Sequence, residues 1–331
     1  MVIKVGIIGA GLMGRLHAKC YSQMESVCIE SISDIDKEKG EKLAKEYRCK
    51  FYEDPDVLID ESKTQVIDIC TPTPSHRQFT LHAAKVGKSI ICEKPIARTL
   101  RDAERMVEEV EKRGVFLLIG HVVRFFPQYI KVKELIEKGE IGQPAVVRTF
   151  RGVSPPPSFW YWDVEKSGGI LLDLLIHDFD FLCWVFGKVD TVYAQNVFFN
   201  FSQRKGIALV NLKFQTGVLA HVEGSWAHPK DFPFTTKLEV TGDKGLIQFD
   251  SSESMPVMVY KDKARRKEER VPENLFARDP YFVELEHFIS CIQEKEKPKI
   301  TPQDAVQALK VSLASLESTR TGRPVKEGEI N

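Results

Sequence analysis

Gly9-Ala10-Gly11-Leu12-Met13-Gly14 follows the apolar run Val2–Ile8 and opens a helical pattern over Leu12–Met24. A G-x-G-x-x-G between a strand and a helix suits a dinucleotide pyrophosphate. Gly9 permits the tight turn, Gly11 lets the phosphates approach the backbone, and Gly14 lets the helix pack on the strand. The helix N-terminus favours the anion. The loop, Leu12 and Met13 included, is therefore assigned to cofactor binding rather than to a ligand-free glycine turn. Asp34 lies about twenty residues beyond Gly14, the spacing at which a carboxylate accepts the adenosine ribose hydroxyls. It would repel a 2′-phosphate, and Ile35 and Asp36 follow it where an Arg or Lys would be needed. NAD is expected rather than NADP. The alternative for Asp34 is a cap on the helix beginning at Lys37.

Around this loop, short apolar runs alternate with helical patterns. Val27–Ser33, Val66–Cys70, Ser89–Cys92 and Val115–Ile119 read as strands; Lys37–Tyr47, Phe79–Val86 and Leu100–Arg113 read as helices. Nearly all-apolar strands between helices indicate a parallel sheet covered on both faces, a doubly wound Rossmann domain over 1–121. The pattern then changes. After a helix at Tyr129–Lys138 come β-branched and aromatic runs at Ala145–Phe150, Thr191–Phe199, Ala208–Phe214, Val218–Ser225, Lys237–Thr241, Leu246–Phe249 and Val257–Tyr260. Gly168–Phe186 is a helical insertion, and Tyr281–Ile292 and Pro302–Thr319 are closing helices. Residues 122–331 thus form an α+β domain with a large, mainly antiparallel sheet. Val197, Phe199 and Phe201, and Val218, Ala220 and Val222, alternate along these strands, which predicts a face covered by a second copy.

Lys+Arg and Asp+Glu both number 47, so the net charge is zero and no basic footprint points to nucleic acid. The one basic run, Lys261 to Lys267, is followed at once by Glu268 and Glu269 and reads as a solvated loop. No run is long and apolar enough for a membrane span. The N-terminus lacks a charged leader with a cleavage site, so no secretory signal is expected. Seven cysteines form no C-x-x-C pair and mostly sit in apolar runs, which fits a reduced cytoplasmic protein with no metal site.

Three ionisable residues stand out for chemistry. Lys94 follows the strand Ser89–Cys92 and so lies at the carboxyl end of the sheet, where open α/β sheets bind ligands. Its ammonium could stabilise charge on a reacting oxygen, or pair with Glu93 at the surface. Asp173 and His177 are four apart in a helical segment that is otherwise almost wholly apolar, so they share a face. Burying such groups is costly without a partner or a task. By themselves they read first as a hydrogen-bonded core pair, and second as a functional pair in which His177 accepts a proton. Asp178 and Asp180 read as caps or partners of basic groups.

Thr71-Pro72-Thr73-Pro74-Ser75-His76, then Glu93-Lys94-Pro95, then Gly168-Gly169 through Asp173 and His177, in this order after the glycine loop, resemble the glucose–fructose oxidoreductase and inositol dehydrogenase family (Gfo/Idh/MocA). The resemblance is strongest over residues 3–187 and continues more faintly through Thr241–Gly245. It implies a Rossmann domain followed by an α/β domain whose open sheet mediates assembly into a homodimer or homotetramer. It implies a cofactor site that includes Thr71, Pro72, Pro74, His76, Glu93 and Lys94. It implies a catalytic group of Lys94, Asp173 and His177, which also bind substrate, with Arg124, Trp160 and Trp162, and near them His121 and Tyr161, lining the pocket. It also implies that the Lys94–Pro95 peptide is cis. The expected activity is NAD-dependent oxidation of a small polyhydroxylated substrate. Relatives that cleave glycosides through transient oxidation by NAD, or that only sense ligands, are the alternatives; the complete Lys94, Asp173 and His177 set favours a dehydrogenase.

Overall fold

The structure, a computed structural model, describes residues 2–61, 63–200, 205–253, 257–261 and 278–330. The chain divides into two compact units, Met1–Phe125 with Arg278–Val306, and Phe126–Ala277 with Gln307–Asn331.

The first unit is built on six parallel strands: β1 (Ile3–Ile8), β2 (Val27–Ser33), β3 (Lys50–Tyr52), β4 (Val66–Ile69), β5 (Ser89–Glu93) and β6 (Leu117–Gly120). Their order, β3-β2-β1-β4-β5-β6, is that of a dinucleotide-binding sheet with its switch point between β1 and β4. Every residue of β4 and β6 is buried, as expected of strands covered on both faces. Helices α1 (Leu12–Tyr21), α2 (Lys37–Glu46), α3 (Pro55–Glu61), α4 (His76–Lys85) and α5 (Leu100–Arg113) provide that cover. In α5, Leu100, Ala103, Met106 and Val110 form the buried stripe; Thr99 caps its start by accepting the Asp102 N–H, and Gly114 ends it at a φ of +64°. The sequence reading finds these elements but misses β3 and α3, both too short to show a period.

The second unit holds an eight-stranded sheet of β7 (Pro144–Gly152), β8 (Val189–Asn200), β9 (Lys205–Phe214), β10 (Leu219–Ser225), β11 (Thr235–Gly242), β12 (Gly245–Asp250), β13 (Val257–Lys261) and β14 (Val325–Lys326). The order is β13-β12-β11-β7-β10-β9-β8-β14, and only the β7–β10 pairing is parallel. The helices here are α6 (Pro127–Glu137), α7 (Val164–Ser167) and α8 (Ile176–Phe186), followed along the chain by α9 (Pro280–Ile292) and α10 (Pro302–Thr321). Leu285, Phe288, Ile289 and Cys291 of α9 join Ala18 and Tyr21 of α1 in the core of the first unit. None of the described helices is long and apolar enough to cross a membrane.

One expectation is corrected here. Val218, Ala220 and Val222 are buried within their own unit rather than waiting for a second copy. The segment Ile170–Phe186, apolar nearly all round, covers that face. A Cβ on Gly224 would lie 2.7 Å from Leu175 Cδ2, and Phe186 meets Phe214 with ring centroids 5.8 Å apart. The exposed apolar side chains Val197, Leu209, Leu219 and Tyr260 lie on strands of the same sheet and alternate with the buried ones. Phe201, the side chain of Phe199 and the basic run 263–267 lie outside the described residues. The described cysteines are all free, with Cys20, Cys92 and Cys291 buried and Cys28 exposed.

Candidate active site

The carboxyl ends of β2, β1, β4 and β5 stand side by side and carry, in that order, Asp34, the glycine loop, the Thr71–Pro74 loop and Glu93–Lys94. Gly9 has a φ of +104°, and a Cβ there would meet Cys70 O at 2.6 Å, so the loop turns tightly against the end of β4. A Cβ on Gly14 would lie 1.8 Å from Gly9 O, which fixes α1 against the loop. Gly11, the N-cap of α1, differs: a Cβ there would meet nothing within 4 Å. The first turn of α1 has no acidic residue and no side-chain cap, and Leu12 is exposed. Open space at an uncapped helix start fits a pyrophosphate.

Asp34 completes this fit. Its Oδ2 accepts the Ala10 N–H at 2.6 Å and its Oδ1 accepts the Asp36 N–H at 2.7 Å. It is therefore not the cap of α2, a role taken by Asp36, which accepts the Lys39 N–H. The carboxylate is held beside the glycine loop and only half buried, as a ribose ligand must be.

After β4, the chain makes a short turn over Thr73–Ser75, fixed by a 2.7 Å contact between the Thr71 and Ser75 hydroxyls. His76 is fully buried. Its Nε2 lies 2.8 Å from Thr71 O and its Nδ1 lies 2.9 Å from Pro95 O. It thus ties the Thr71–Ser75 turn to the Glu93-Lys94-Pro95 turn, a bracing role. Burial lowers its pKa, opposed by the two carbonyls. The Lys94–Pro95 peptide is cis.

Beneath Lys94 lies a buried ionic group that the sequence reading missed. His17 of α1 places Nδ1 2.8 Å from Asp68 Oδ2 and Nε2 3.2 Å from Glu93 Oε1. Glu93 Oε2 accepts the Lys94 N–H at 3.1 Å. Burial opposes charge on His17, but the Cys70 sulfur and the Asp68 carboxylate outweigh it and hold the imidazole well above its ordinary range. The Cys70 thiol is itself pushed far up by burial, so at neutral pH the negative charge comes from the carboxylates. Burial also works to raise the Glu93 carboxyl, and the adjacent His17 overcomes it and lowers the pKa. The donor atoms of His17, Asp68 and Cys70 lie within 4.8 Å of one another, as metal ligands would. The same imidazole lies between two carboxylates, Asp68 hydrogen-bonded to Nδ1 and Glu93 3.2 Å from Nε2, an arrangement that suits an ion-paired imidazolium better than a metal ligand. One signal was available: Asp68 is a charge in the middle of a strand buried on both faces, which demands a partner.

Arg124 is also buried. It donates from Nη1 to Lys299 O at 3.1 Å, and the same atom lies 3.5 Å from Asp304 Oδ2, which secures the segment ahead of α10. His121 beside it is fully buried.

In the second unit, Asp173 lies in a π-helical turn, Ile170–Leu174, closed by the Leu175 N–H to Ile170 O at 2.9 Å. His177 is the second residue of α8. From Ser167 to Leu182, Asp173 and His177 alone are not buried. π-turns of this kind are frequent at functional sites. Asp178, by contrast, is buried and forms a two-pronged pair with Arg151, at 2.6 Å to Nε and 3.2 Å to Nη2, with the Tyr129 hydroxyl 3.4 Å from Nη2. Asp180 is fully buried. The aromatic run Phe159–Trp162 forms a 3₁₀ turn. Trp160 lies over Tyr161 with centroids 4.2 Å apart, while Trp162 packs edge-on against the buried Trp226 at 5.0 Å and donates its indole N–H to Pro156 O. Trp160, Tyr161 and Trp162 are each half-buried.

Known proteins resemble this chain along nearly its whole length. Residues 3–121 match the family described as an oxidoreductase family with an NAD-binding Rossmann fold, and residues 133–326 match the C-terminal alpha/beta domain of that family. The chain is 32% identical to myo-inositol 2-dehydrogenase of Thermotoga maritima, over 99% of both chains. It is 29% identical to scyllo-inositol 2-dehydrogenase (NAD(+)) of Bacillus subtilis, over 98% of this chain and 96% of the relative. A crystal structure of a probable dehydrogenase from Thermotoga maritima superposes with a TM-score of 0.84 at 29% identity, covering 99% of this chain and 100% of the other.

Proposed function

The chain belongs to the Gfo/Idh/MocA oxidoreductase family, and from that premise we propose that it is an NAD-dependent dehydrogenase acting on a secondary or anomeric hydroxyl of a sugar, inositol or related polyol. The observation that carries this reading is the half-exposed pair Asp173 and His177 in an otherwise buried stretch. An acid–base pair left accessible there suits removal of a hydroxyl proton.

NAD, when bound, supplies the hydride acceptor at nicotinamide C4. Gly9, Gly11, Leu12, Met13 and Gly14 hold its pyrophosphate, Asp34 its ribose, and Thr71, Pro72 and Pro74 flank it. His177 would take the hydroxyl proton while the carbinol carbon gives up a hydride with its electron pair, which NAD would accept, so the alcohol becomes a carbonyl by loss of one proton and one hydride. Lys94 donates to the reacting oxygen and stabilises the charge that develops there. Asp173 holds a neighbouring hydroxyl or orients His177. The faces of Trp160 and Trp162 suit the C–H faces of a sugar ring. Arg124, whose Nη1 is engaged with Lys299 O and lies near Asp304, would line the site through the rest of its guanidinium. A homodimer or homotetramer would form through the exposed face of the second sheet.

The test is a panel of inositols, aldoses and sugar acids incubated with NAD and followed by NADH absorbance. Turnover of a polyol supports the reading. Cleavage of an aryl glycoside without net NADH would move the protein to the glycosidase class instead.

A further inference from the structure

We propose that His17 is a positioning residue for the reaction: clamped between Asp68 and Glu93, it fixes the Glu93 carboxylate, and through it the main chain of Lys94. The proposal rests on the reading of Lys94 given above.

The chain of contacts is short and buried. His17 lies three residues beyond Gly14, on the helix that opens at the cofactor loop. Its ring is almost wholly enclosed, with Asp68 on Nδ1 and Glu93 on Nε2. Glu93 ends β5 and is itself buried. Its other oxygen takes the Lys94 N–H. β6 leaves room for this carboxylate: Gly120 pairs with Glu93 in register, and a Cβ there would sit 3.3 Å from Glu93 Oε1. His76 holds the far side of the turn through Pro95 O.

The charges explain why His17 is needed. Two buried carboxylates cannot both stay ionised side by side without a cation between them. Nδ1 hydrogen-bonds Asp68, while Nε2 faces Glu93 Oε1 at 3.2 Å outside hydrogen-bond geometry, so the imidazolium holds Glu93 by charge. Remove the imidazolium, and Glu93 must either take up a proton or turn away. In either case the acceptor for the Lys94 N–H weakens and the ammonium loses its fixed origin. Misplacing such a group slows the chemical step while substrate and cofactor binding change little. A structural role alone would lower the stability of the protein and leave turnover per folded molecule intact.

The experiment compares His17→Gln, Glu93→Gln, the double variant and Lys94→Met, with rates expressed per NAD-binding site. For His17→Gln the expected result is a fall in kcat of roughly ten- to a hundredfold, with KM and the NAD dissociation constant within about threefold. Glu93→Gln should behave alike, and the double variant should be no worse than either single, because the residues act as one unit. A normal kcat in His17→Gln, or losses that multiply in the double variant, would overturn the proposal. Lys94→Met separates the two readings. If it is inactive while His17→Gln is normal, the role of His17 falls alone; if it is active, the reading of Lys94 falls and takes this proposal with it. Should His17→Gln fail to fold, Glu93→Gln keeps the shape of the side chain and carries the test, and an unchanged kcat there overturns the proposal.

Discussion

Oδ2 of Asp34 accepts the Ala10 N–H at 2.6 Å, so the carboxylate at the end of β2 is fastened to the glycine loop at the end of β1. The same group that would bind the ribose therefore also holds the loop that would bind the pyrophosphate.

Asp34→Ala is accordingly expected to weaken NAD binding on two counts, by about tenfold or more, since a charged hydrogen bond contributes about 1.5–3 kcal/mol and 1.4 kcal/mol is tenfold in affinity. NADP binding, which the carboxylate opposes, should weaken less or improve, so the preference for NAD narrows. Calorimetric titration of both nucleotides checks this. Tighter NADP binding by the unmodified protein would overturn the assignment of Asp34.

Lys94→Met removes the charge and keeps the stem. Turnover should fall by roughly two to four orders of magnitude, the range for losing a positioned proton donor or charge stabiliser. NAD affinity should change far less, because Asp34 and the glycine loop are untouched. His177→Ala should abolish the pH dependence of kcat assigned to the proton acceptor. Normal turnover in both variants on the true substrate would return these residues to a structural role.

Asp173 and Asp178, five residues apart, should give opposite phenotypes. Asp178→Ala strips a buried guanidinium of its partner, and breaking such a pair costs about 3–5 kcal/mol, a large part of a domain's stability. Denaturant unfolding should register this loss. Asp173→Asn should unfold almost normally and lose activity. An inactive but fully stable Asp178→Ala protein would contradict the division.

The His17 and Glu93 pair predicts a window of pH stability. The pKa of Glu93 is lowered in the fold, so its contribution is present above the usual value near 4.3 and is lost as pH falls through the folded value. The pKa of His17 is raised, so its contribution is complete below about 6.5 and is lost as pH rises through the folded value. Unfolding free energy should hold a plateau between these limits, and His17→Gln should flatten the alkaline fall. An alkaline limb identical in the two proteins would refute the cation assigned to His17.

Assembly is testable at the outer face of the second sheet. Leu209 and Leu219 are exposed there, in the same sheet as the Arg148–Glu239 and Lys237–Asp250 ion pairs. Light scattering should give a multiple of 37.7 kDa, and Leu219→Arg should shift the mass downward. A monomer at micromolar concentration would exclude the expected homo-oligomer.

Most of the first unit was legible because its signals are local. The glycine spacing, the apolar strands and the helical period of Leu100–Arg113 each lie within a short stretch of chain. Asp173 and His177 stand out in the sequence as two ionisable residues in an apolar run, although the π-turn that holds Asp173 has no sequence signature. What escaped depends on contacts between distant segments. His17, Asp68 and Glu93 come from α1, β4 and β5; Asp68 in its apolar strand announces that a partner is needed, but nothing local says which residues supply it. The contacts of Arg124 with Lys299 and Asp304 were likewise out of reach, because those partners lie far along the chain. The cover over Val218, Ala220 and Val222 was misjudged for the same reason, since it comes from the segment Ile170–Phe186.

The three glycines of the cofactor loop differ in the kind of tolerance they confer. Side chains at positions 9 and 14 collide with backbone, so substitutions there should deplete soluble protein. Position 11 has an ordinary φ of −71° and nothing for a methyl group to strike. Gly11→Ala should accumulate at normal abundance yet stay permanently in the apo form. In a library screened separately for expression and for growth on a polyol, position 11 would divide the two readouts while its neighbours fail both. That single site offers a folded, cofactor-blind control for every experiment on this protein.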